Sequence, residues 1–256
     1  MGKNLTEGQK LKNSIKIPLL FVLIICIVQI IQGVFGIELG YLGIHPRTFS
    51  GMIGIFLAPL IHGDFMHVIS NILPFFLLLS SINYFYPRIA TRSFLMIYFV
   101  TGLVVWIFAR NVYHIGASGV VYGLVSFLFW NGIFRKSLKS IIISLIIVVL
   151  YSGYVAGILP NQEGISWESH LIGGIIGIFT AYYFKNELEE DEVTQLAYKN
   201  RTLDDSLIKK PFFAENIFNF TKAEREAMRI EAEKEAIRLK ELENKKDDDI
   251  WYYDIS

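Results

Sequence analysis

The sequence predicts an all-α, polytopic membrane protein with a charged helical tail. Three observations support this fold class: 53% of the 256 residues are hydrophobic, the mean hydropathy is +0.43, and almost all long apolar runs lie between residues 17 and 184. A helix needs about 20 mainly apolar residues to cross the bilayer core. A soluble single domain is a poor fit to such a composition.

Six segments meet or approach the length of a membrane span, namely 16–36, 66–83, 92–110, 118–134, 138–158 and 168–185. The first is too long for a secretory signal peptide and ends without a small-x-small cleavage site. The stretch 37–65 that follows is too long for a tight turn. Its apolar part, 49–61, is short and interrupted by glycine and proline, which favours an interfacial or re-entrant segment.

Basic residues outside the spans predict the orientation of the chain. Nine lie in the N-terminal tail and in the loops after the second and fourth spans, and only Arg47 and Arg110 lie in the opposite loops. Cytoplasmic loops carry the excess of Lys and Arg. We therefore expect both termini in the cytoplasm and the alternate loops at the outer face of a bacterial cytoplasmic membrane.

Three parts are predicted along the chain: a cytoplasmic N-terminal segment at 1–15, a six-helix domain at 16–186 and a charged cytoplasmic tail at 187–256. From Lys185 to Ser256, 13 basic and 19 acidic residues give a net charge of −6.

Within this tail, Thr221 and Glu224 have the spacing of a capping box. The Ala-, Glu-, Lys- and Arg-rich stretch after them predicts a helix near 221–246. A charge pattern of this kind is typical of a solvated helix without chemistry of its own.

Ser118 opens the fourth predicted span within Gly116-Ala117-Ser118-Gly119. The flanking glycines allow an unusual turn and a close backbone approach. Unpaired N–H groups at a helix start can stabilise a developing oxyanion. The alternative is a plain N-cap serine with glycines used for packing, since GxSG is a frequent motif.

His170 opens the sixth predicted span on the same outer side as Ser118. A histidine in a membrane segment is costly and usually functional. Both spans carry glycines four residues apart, which let helix backbones pack closely: Gly119 and Gly123, Gly173 and Gly177. A histidine that only caps a helix in the headgroup region is the alternative. The matching depth and glycine faces favour a dyad of nucleophile and general base.

Tyr122 lies one turn after Ser118 on the same helix face, so its ring can lie against the His170 imidazole. Ordinary helix packing explains its position equally well. No acidic third member of a triad is evident, because Glu168 is two residues before His170 and points elsewhere on the helix.

His67 and Asn71 share one face at the outer end of the second span. Both side chains can donate hydrogen bonds to the oxygen of a tetrahedral intermediate. A zinc site is the competing interpretation, because His62 is close by. The sequence has no HExxH motif, its one cysteine is Cys26, and five residues separate His62 from His67. We predict no metal and no cofactor.

These motifs together resemble the rhomboid family of intramembrane serine proteases. Three motifs occur in family order, HxxxxHxxxN, GxSGxxxG with an aromatic residue, and HxxGxxxG, and they are carried by His62, His67, Asn71, Gly116, Ser118, Gly119, Tyr122, Gly123, His170, Gly173 and Gly177. The resemblance covers residues 16–186. One departure is that the first outer loop has Pro46-Arg47-Thr48-Phe49, where many relatives carry a Trp-Arg pair.

The resemblance implies a six-transmembrane-helix rhomboid-like bundle and a Ser-His dyad without an acid. It also implies cleavage of transmembrane protein substrates in or near their membrane segments, and an outer loop that lies partly in the bilayer. The roles it implies are Ser118 as nucleophile and His170 as general base and acid, with oxyanion donors His67 and Asn71. Gly116, Gly119 and Tyr122 support them.

The primary hypothesis is therefore a serine-type endopeptidase that acts within the bilayer, with no nucleic-acid partner. A catalytically silent scaffold that binds transmembrane helices is the alternative. A transporter or channel would need polar residues through the full bilayer depth, whereas here they concentrate in the outer third. An α/β-hydrolase is excluded, because Val120 replaces the last glycine of GxSxG and alternating strands are absent.

Overall fold

A computed structural model describes residues 6–159, 166–194 and 220–251. The chain divides into two compact units, Met1–Gln195 and Leu196–Ser256. The helices of the first unit are α1 (Glu7–Ser14), α2 (Lys16–Phe35), α3 (Gly54–Leu57), α4 (Phe65–Phe85), α5 (Ala90–Phe108), α6 (Ser118–Arg135), α7 (Leu138–Tyr151) and α8 (Trp167–Phe184). In the second unit, the described helix is α9 (Lys222–Trp251).

Helix α6 is the centre of the first unit, because ten of its 18 residues are buried. Leu124, Phe127 and Leu128 are fully enclosed in the main apolar cluster. Helix α2 is the opposite case, since only Pro18 and Ile25 are buried along its 20 mainly apolar residues. A helix that is apolar on all sides and still exposed is suited to a lipid environment.

Three helical stretches among the described residues are long and apolar enough to cross a membrane: Glu7–Phe35, Phe65–Phe85 and Ala90–Phe108. Ser50–Leu60 and Leu138–Tyr151 are shorter apolar helices. Each of the six predicted segments coincides with one of the helices α2 and α4–α8, so the all-α prediction for a membrane protein is confirmed. The count of six spans stays a prediction.

The fifth predicted span differs from the observed helix. We expected helix up to residue 158, whereas α7 ends at Tyr151 and a 3-10 stretch, Ser152–Ile158, follows. Gly153 and Gly157 lie in this stretch, and glycine is a poor helix former.

Short 3-10 and α-helical turns shape the loop between α2 and α4: Gly40–Leu42, Ser50–Ile53, α3 and Ala58–Leu60. Arg47 connects this loop to the end of α5. Its guanidinium donates to the carbonyl oxygens of Ile107 (3.2 Å) and Ala109 (2.7 Å), and Trp106 Nε1 donates to Thr48 O at 2.9 Å. A cation at a helix C-terminus is stabilising. Arg47 and Trp106 thus hold the α2–α4 loop in place, although this loop lacks the Trp-Arg pair that many relatives carry.

The far end of α6 carries a buried ion pair. The Arg135 side chain is fully enclosed and donates to Glu192, whose side chain is 4% exposed. Its other N–H groups reach Asn131 Oδ1 at 3.1 Å, Phe184 O at 3.2 Å and Glu187 O at 2.7 Å. A buried charge is tolerated when it is paired and hydrogen-bonded in this way.

The acidic partners come from residues 187–192, which we had predicted to open the solvated tail. Instead Glu189 and Glu192 are buried and belong to the first unit, where Glu192 pairs with Arg135 and Glu189 accepts from the backbone N–H of Arg88 at 3.2 Å. Arg92 pairs with Glu187, Lys139 with Asp191 at 2.8 Å, and Arg88 with Glu190 at 3.6 Å. We call these three pairs and Arg135–Glu192 the basal ion cluster.

In the second unit, α9 begins with reciprocal capping bonds. Thr221 N donates to Glu224 Oε2 at 2.7 Å, and Glu224 N donates to Thr221 Oγ1 at 3.4 Å. The described side chains of this helix are exposed. The predicted tail residues 195–219 and 252–256 lie outside the described residues.

Candidate active site

Ser118 and His170 are hydrogen-bonded to each other across the start of two helices. Ser118 is the first residue of α6, His170 lies in the first turn of α8, and Ser118 Oγ is 2.8 Å from His170 Nε2. His170 is 6% exposed and Ser118 is half-buried. The two side chains that the sequence pairs are therefore in contact, within reach of one another for proton transfer.

Close helix packing makes this contact possible. A Cβ placed on Gly173 of α8 would lie 1.9 Å from Gly119 O of α6, and one placed on Gly177 would lie 2.3 Å from Gly123 O. No side chain larger than hydrogen fits at these positions. The two glycine faces therefore meet, and the backbones of α6 and α8 touch directly.

The His170 ring is held on two further sides. Its Nδ1 lies 2.8 Å from the carbonyl oxygen of Gly157, and its face stacks on Tyr122 with ring centroids 4.2 Å apart and an angle of 8°. A carbonyl oxygen only accepts, so Nδ1 of the neutral ring carries the proton. Nε2 is then unprotonated and faces the Ser118 hydroxyl, which is the arrangement a general base requires.

The loop before Ser118 is held by two hydrogen bonds and by the close approach of the His67 ring. Gly116 N donates to Ala58 O at 2.9 Å, and Ala117 N donates to His62 Nε2 at 3.3 Å. Gly116 has φ +100°, and a Cβ there would lie 2.7 Å from His67 Nε2. Glycine is required here both for its positive φ and for the approach of the His67 ring. His62 thus contacts, through Ala117, the loop of residues 109–117, which we call the nucleophile loop after the role predicted for Ser118.

His67 and Asn71 lie in the first two turns of α4, which Asp64 caps by accepting from His67 N at 2.8 Å. Asn71 is 4% exposed, and its Nδ2 donates to His67 O at 2.7 Å. That bond uses one of the two N–H groups of the amide. The structure brings His67 beside the loop that carries Ser118, and the oxyanion role of both residues stays a prediction.

Glu168 points away from His170, as expected from its spacing. It forms an ion pair with Arg110 of the loop between α5 and α6, with a distance of 3.0 Å between Arg110 Nε and Glu168 Oε1. The neighbour of His170 Nδ1 is instead the backbone oxygen of Gly157. Sequence reasoning missed this partner, because a main-chain acceptor leaves no signature in the side-chain pattern. Within the described ranges, no group of three or more His, Cys, Asp or Glu residues could hold a metal ion.

Comparison with known proteins gives a family and three relatives of interest. A family model described as "Rhomboid domain" matches residues 50–187. Uncharacterized proteins of Mycobacterium bovis and Mycobacterium tuberculosis are each 30% identical over 178 residues, which covers 64% of this chain and 72% of theirs. An uncharacterized protein of Mycobacterium leprae is 27% identical over 178 residues, or 64% and 68% of the two chains. Since these relatives are uncharacterized, they support the family and leave the reaction to be argued from the site.

Proposed function

Because this chain belongs to the rhomboid family, we propose that it is an intramembrane serine endopeptidase. It cleaves transmembrane proteins in or near their membrane segments through a Ser118–His170 dyad. The observation that carries the proposal is the 2.8 Å contact between Ser118 Oγ and His170 Nε2, with Nδ1 held by the Gly157 carbonyl. A helix-packing serine and a capping histidine need neither this contact nor this ring orientation.

In the proposed reaction, Ser118 Oγ attacks the scissile carbonyl carbon as its proton passes to His170 Nε2. The tetrahedral oxygen accepts hydrogen bonds from the Ser118 backbone N–H and from His67 and Asn71. His170 then gives its proton to the leaving amine, and an acyl-enzyme remains. Water, deprotonated by His170, hydrolyses the ester and restores the hydroxyl. Tyr122 keeps the ring plane fixed through both proton transfers.

The proposed setting is a six-span domain at residues 16–186 in a bacterial cytoplasmic membrane. Both termini are in the cytoplasm and the active site faces outward, as the distribution of basic residues predicts. The charged residues beyond the first unit, from Leu196 onward, form a cytoplasmic tail. A catalytically silent scaffold with the same helices is the alternative, and a chemical test of Ser118 separates the two.

The test uses the full chain purified in detergent and treated with a fluorophosphonate, which reacts covalently with activated serines. Wild-type protein is expected to be labelled at Ser118, and Ser118→Ala and His170→Ala are expected to lose labelling by at least about 10³-fold. Ser126→Ala, on the same helix, is the matched control and should label normally. In cells, membrane proteomes with wild-type protein should contain shed ectodomains that are lacking with Ser118→Ala. Equal labelling of wild type and Ser118→Ala would overturn the proposal.

A further inference from the structure

His114, a histidine outside the three motifs, lies four residues before Ser118 and is 3% exposed. Its Nε2 is 3.0 Å from Arg110 O, and its Nδ1 is 2.5 Å from Ser166 Oγ. Since the carbonyl oxygen only accepts, Nε2 of the neutral ring carries the proton and Nδ1 accepts from the Ser166 hydroxyl. Burial lowers the pKa of His114, which favours this neutral form at pH 7.

Ser166 connects His114 to the dyad. It is the N-cap residue of α8, yet its side chain makes no capping bond to the helix backbone. The hydroxyl lies between His114 Nδ1 and Ser169 Oγ, which is 2.6 Å away. The carbonyl oxygen of Ser166 accepts from the backbone N–H of His170 at 3.3 Å. One residue thus contacts the His114 ring with its side chain and His170 with its main chain.

The loop that carries His114 is itself held by further bonds. His114 and Ile44 exchange two backbone hydrogen bonds, of 2.8 and 2.9 Å, between the nucleophile loop and the loop after α2. The Arg110–Glu168 ion pair, at 3.0 Å, is a second side-chain link between the nucleophile loop and the first turn of α8. The first turn of α8 is therefore joined to the nucleophile loop by side chains, independently of the dyad contact.

We propose that His114 is a positioning residue, which sets the distance between Ser118 Oγ and His170 Nε2 by holding the first turn of α8 through Ser166. This inference rests on the proposed function. The dyad contact and the His114–Ser166 contact close one ring: residues 114–118 form one side and residues 166–170 the other. Loss of the His114–Ser166 bond leaves the dyad contact and the Arg110–Glu168 pair as the side-chain links between the two segments. An error of about 1 Å in such a geometry costs about 100-fold in rate.

The experiment measures fluorophosphonate labelling of the full chain as a time course at several probe concentrations. It yields a first-order rate constant, a probe affinity and a final labelled fraction. His114→Asn and His114→Gln are a matched pair: the Asn amide oxygen can take the place of Nδ1 and accept from Ser166, whereas the Gln amide reaches the Arg110 carbonyl instead. The backbone bonds to Ile44 survive in both variants.

We expect His114→Ala and His114→Gln to lower the first-order rate constant at least about 10-fold, with little change in probe affinity. His114→Asn should stay within about threefold of wild type. Ser166→Ala should match His114→Ala, Ser166→Thr should retain the rate, and the double variant His114→Ala/Ser166→Ala should lose no more than either single change.

A merely structural His114 would lower the labelled fraction and the melting temperature and leave the rate constant of the labelled molecules unchanged. That result overturns the inference, as does equal loss in His114→Asn and His114→Gln. If the His114 variants do not fold, the comparison of Ser166→Ala with Ser166→Thr decides. Wild-type protein that fails to label at Ser118 would refute the proposed function, which is a distinguishable result.

Discussion

Replacing Gly173 by alanine is the sharpest test of how the two helices form the site. The added Cβ would lie 1.9 Å from Gly119 O, about 1.5–2 Å short of an ordinary non-bonded separation. The neighbour is backbone, so α6 and α8 must move apart. If they move by the whole deficit, the Ser118–His170 distance grows from 2.8 Å to about 4.5 Å, beyond hydrogen-bond range.

We therefore expect Gly173→Ala to lower fluorophosphonate labelling about 100-fold and the free energy of unfolding by about 1–3 kcal/mol. Gly174→Ala is the control, because a Cβ there meets nothing within 4 Å. It changes the same helix by the same methyl group and should label normally, with a gain in stability of up to about 1 kcal/mol. Normal labelling of Gly173→Ala would refute the argument that backbone contact sets the dyad.

Two further predictions concern the basal ion cluster and the neighbouring Glu189, and both are measured by unfolding the full chain in detergent. Arg135→Gln leaves Glu192 buried without its partner and should lower the free energy of unfolding by about 3–5 kcal/mol. Arg88→Gln removes a half-exposed partner of Glu190 and should lower it by less than about 1 kcal/mol. Similar losses in the two variants would contradict the argument from burial. Burial raises the pKa of Glu189 above its usual 4.5, so its contribution to stability is present at low pH and is lost as pH rises through the folded pKa. Glu189→Gln should then be more stable than wild type at pH 7 and lose that advantage below about pH 4.5, and a constant difference across this range would contradict the prediction.

The positions of the helices and of the dyad could be predicted because they depend on local signals. Apolar length identifies the helices, and spacings of four residues put the glycines of α6 and α8 on facing surfaces. Such signals survive in sequence, since each depends on residues within one or two turns. For Tyr122 the sequence allowed two interpretations, a ring stacked on His170 or ordinary helix packing. Spacing predicts the helix face on which a residue lies and does not predict which side chain lies opposite.

The partners missed by sequence reasoning are long-range or belong to the main chain. Gly157 acts through its carbonyl oxygen, which every residue has. His114 meets Ser166 across 52 positions, and neither belongs to a motif. Arg47 contacts the end of α5, about 60 positions later in the chain, in a loop that lacks the Trp-Arg pair of many relatives. Arg135 is one of the nine basic residues outside the predicted spans, and charge patterning does not reveal which acidic segment will fold over it.

The basal ion cluster has a consequence for the order of events during synthesis. Its basic members are among the residues that direct the proposed orientation, and all of its acidic members follow the last predicted span in the chain. The ribosome therefore completes every span before the neutralising carboxylates exist. The positive charges are free while the helices insert and become paired only afterwards, so one set of residues first acts as a topology signal and later as an internal bond. On this reasoning, a chain that ends at Lys185 should insert with the same orientation and be less stable once folded.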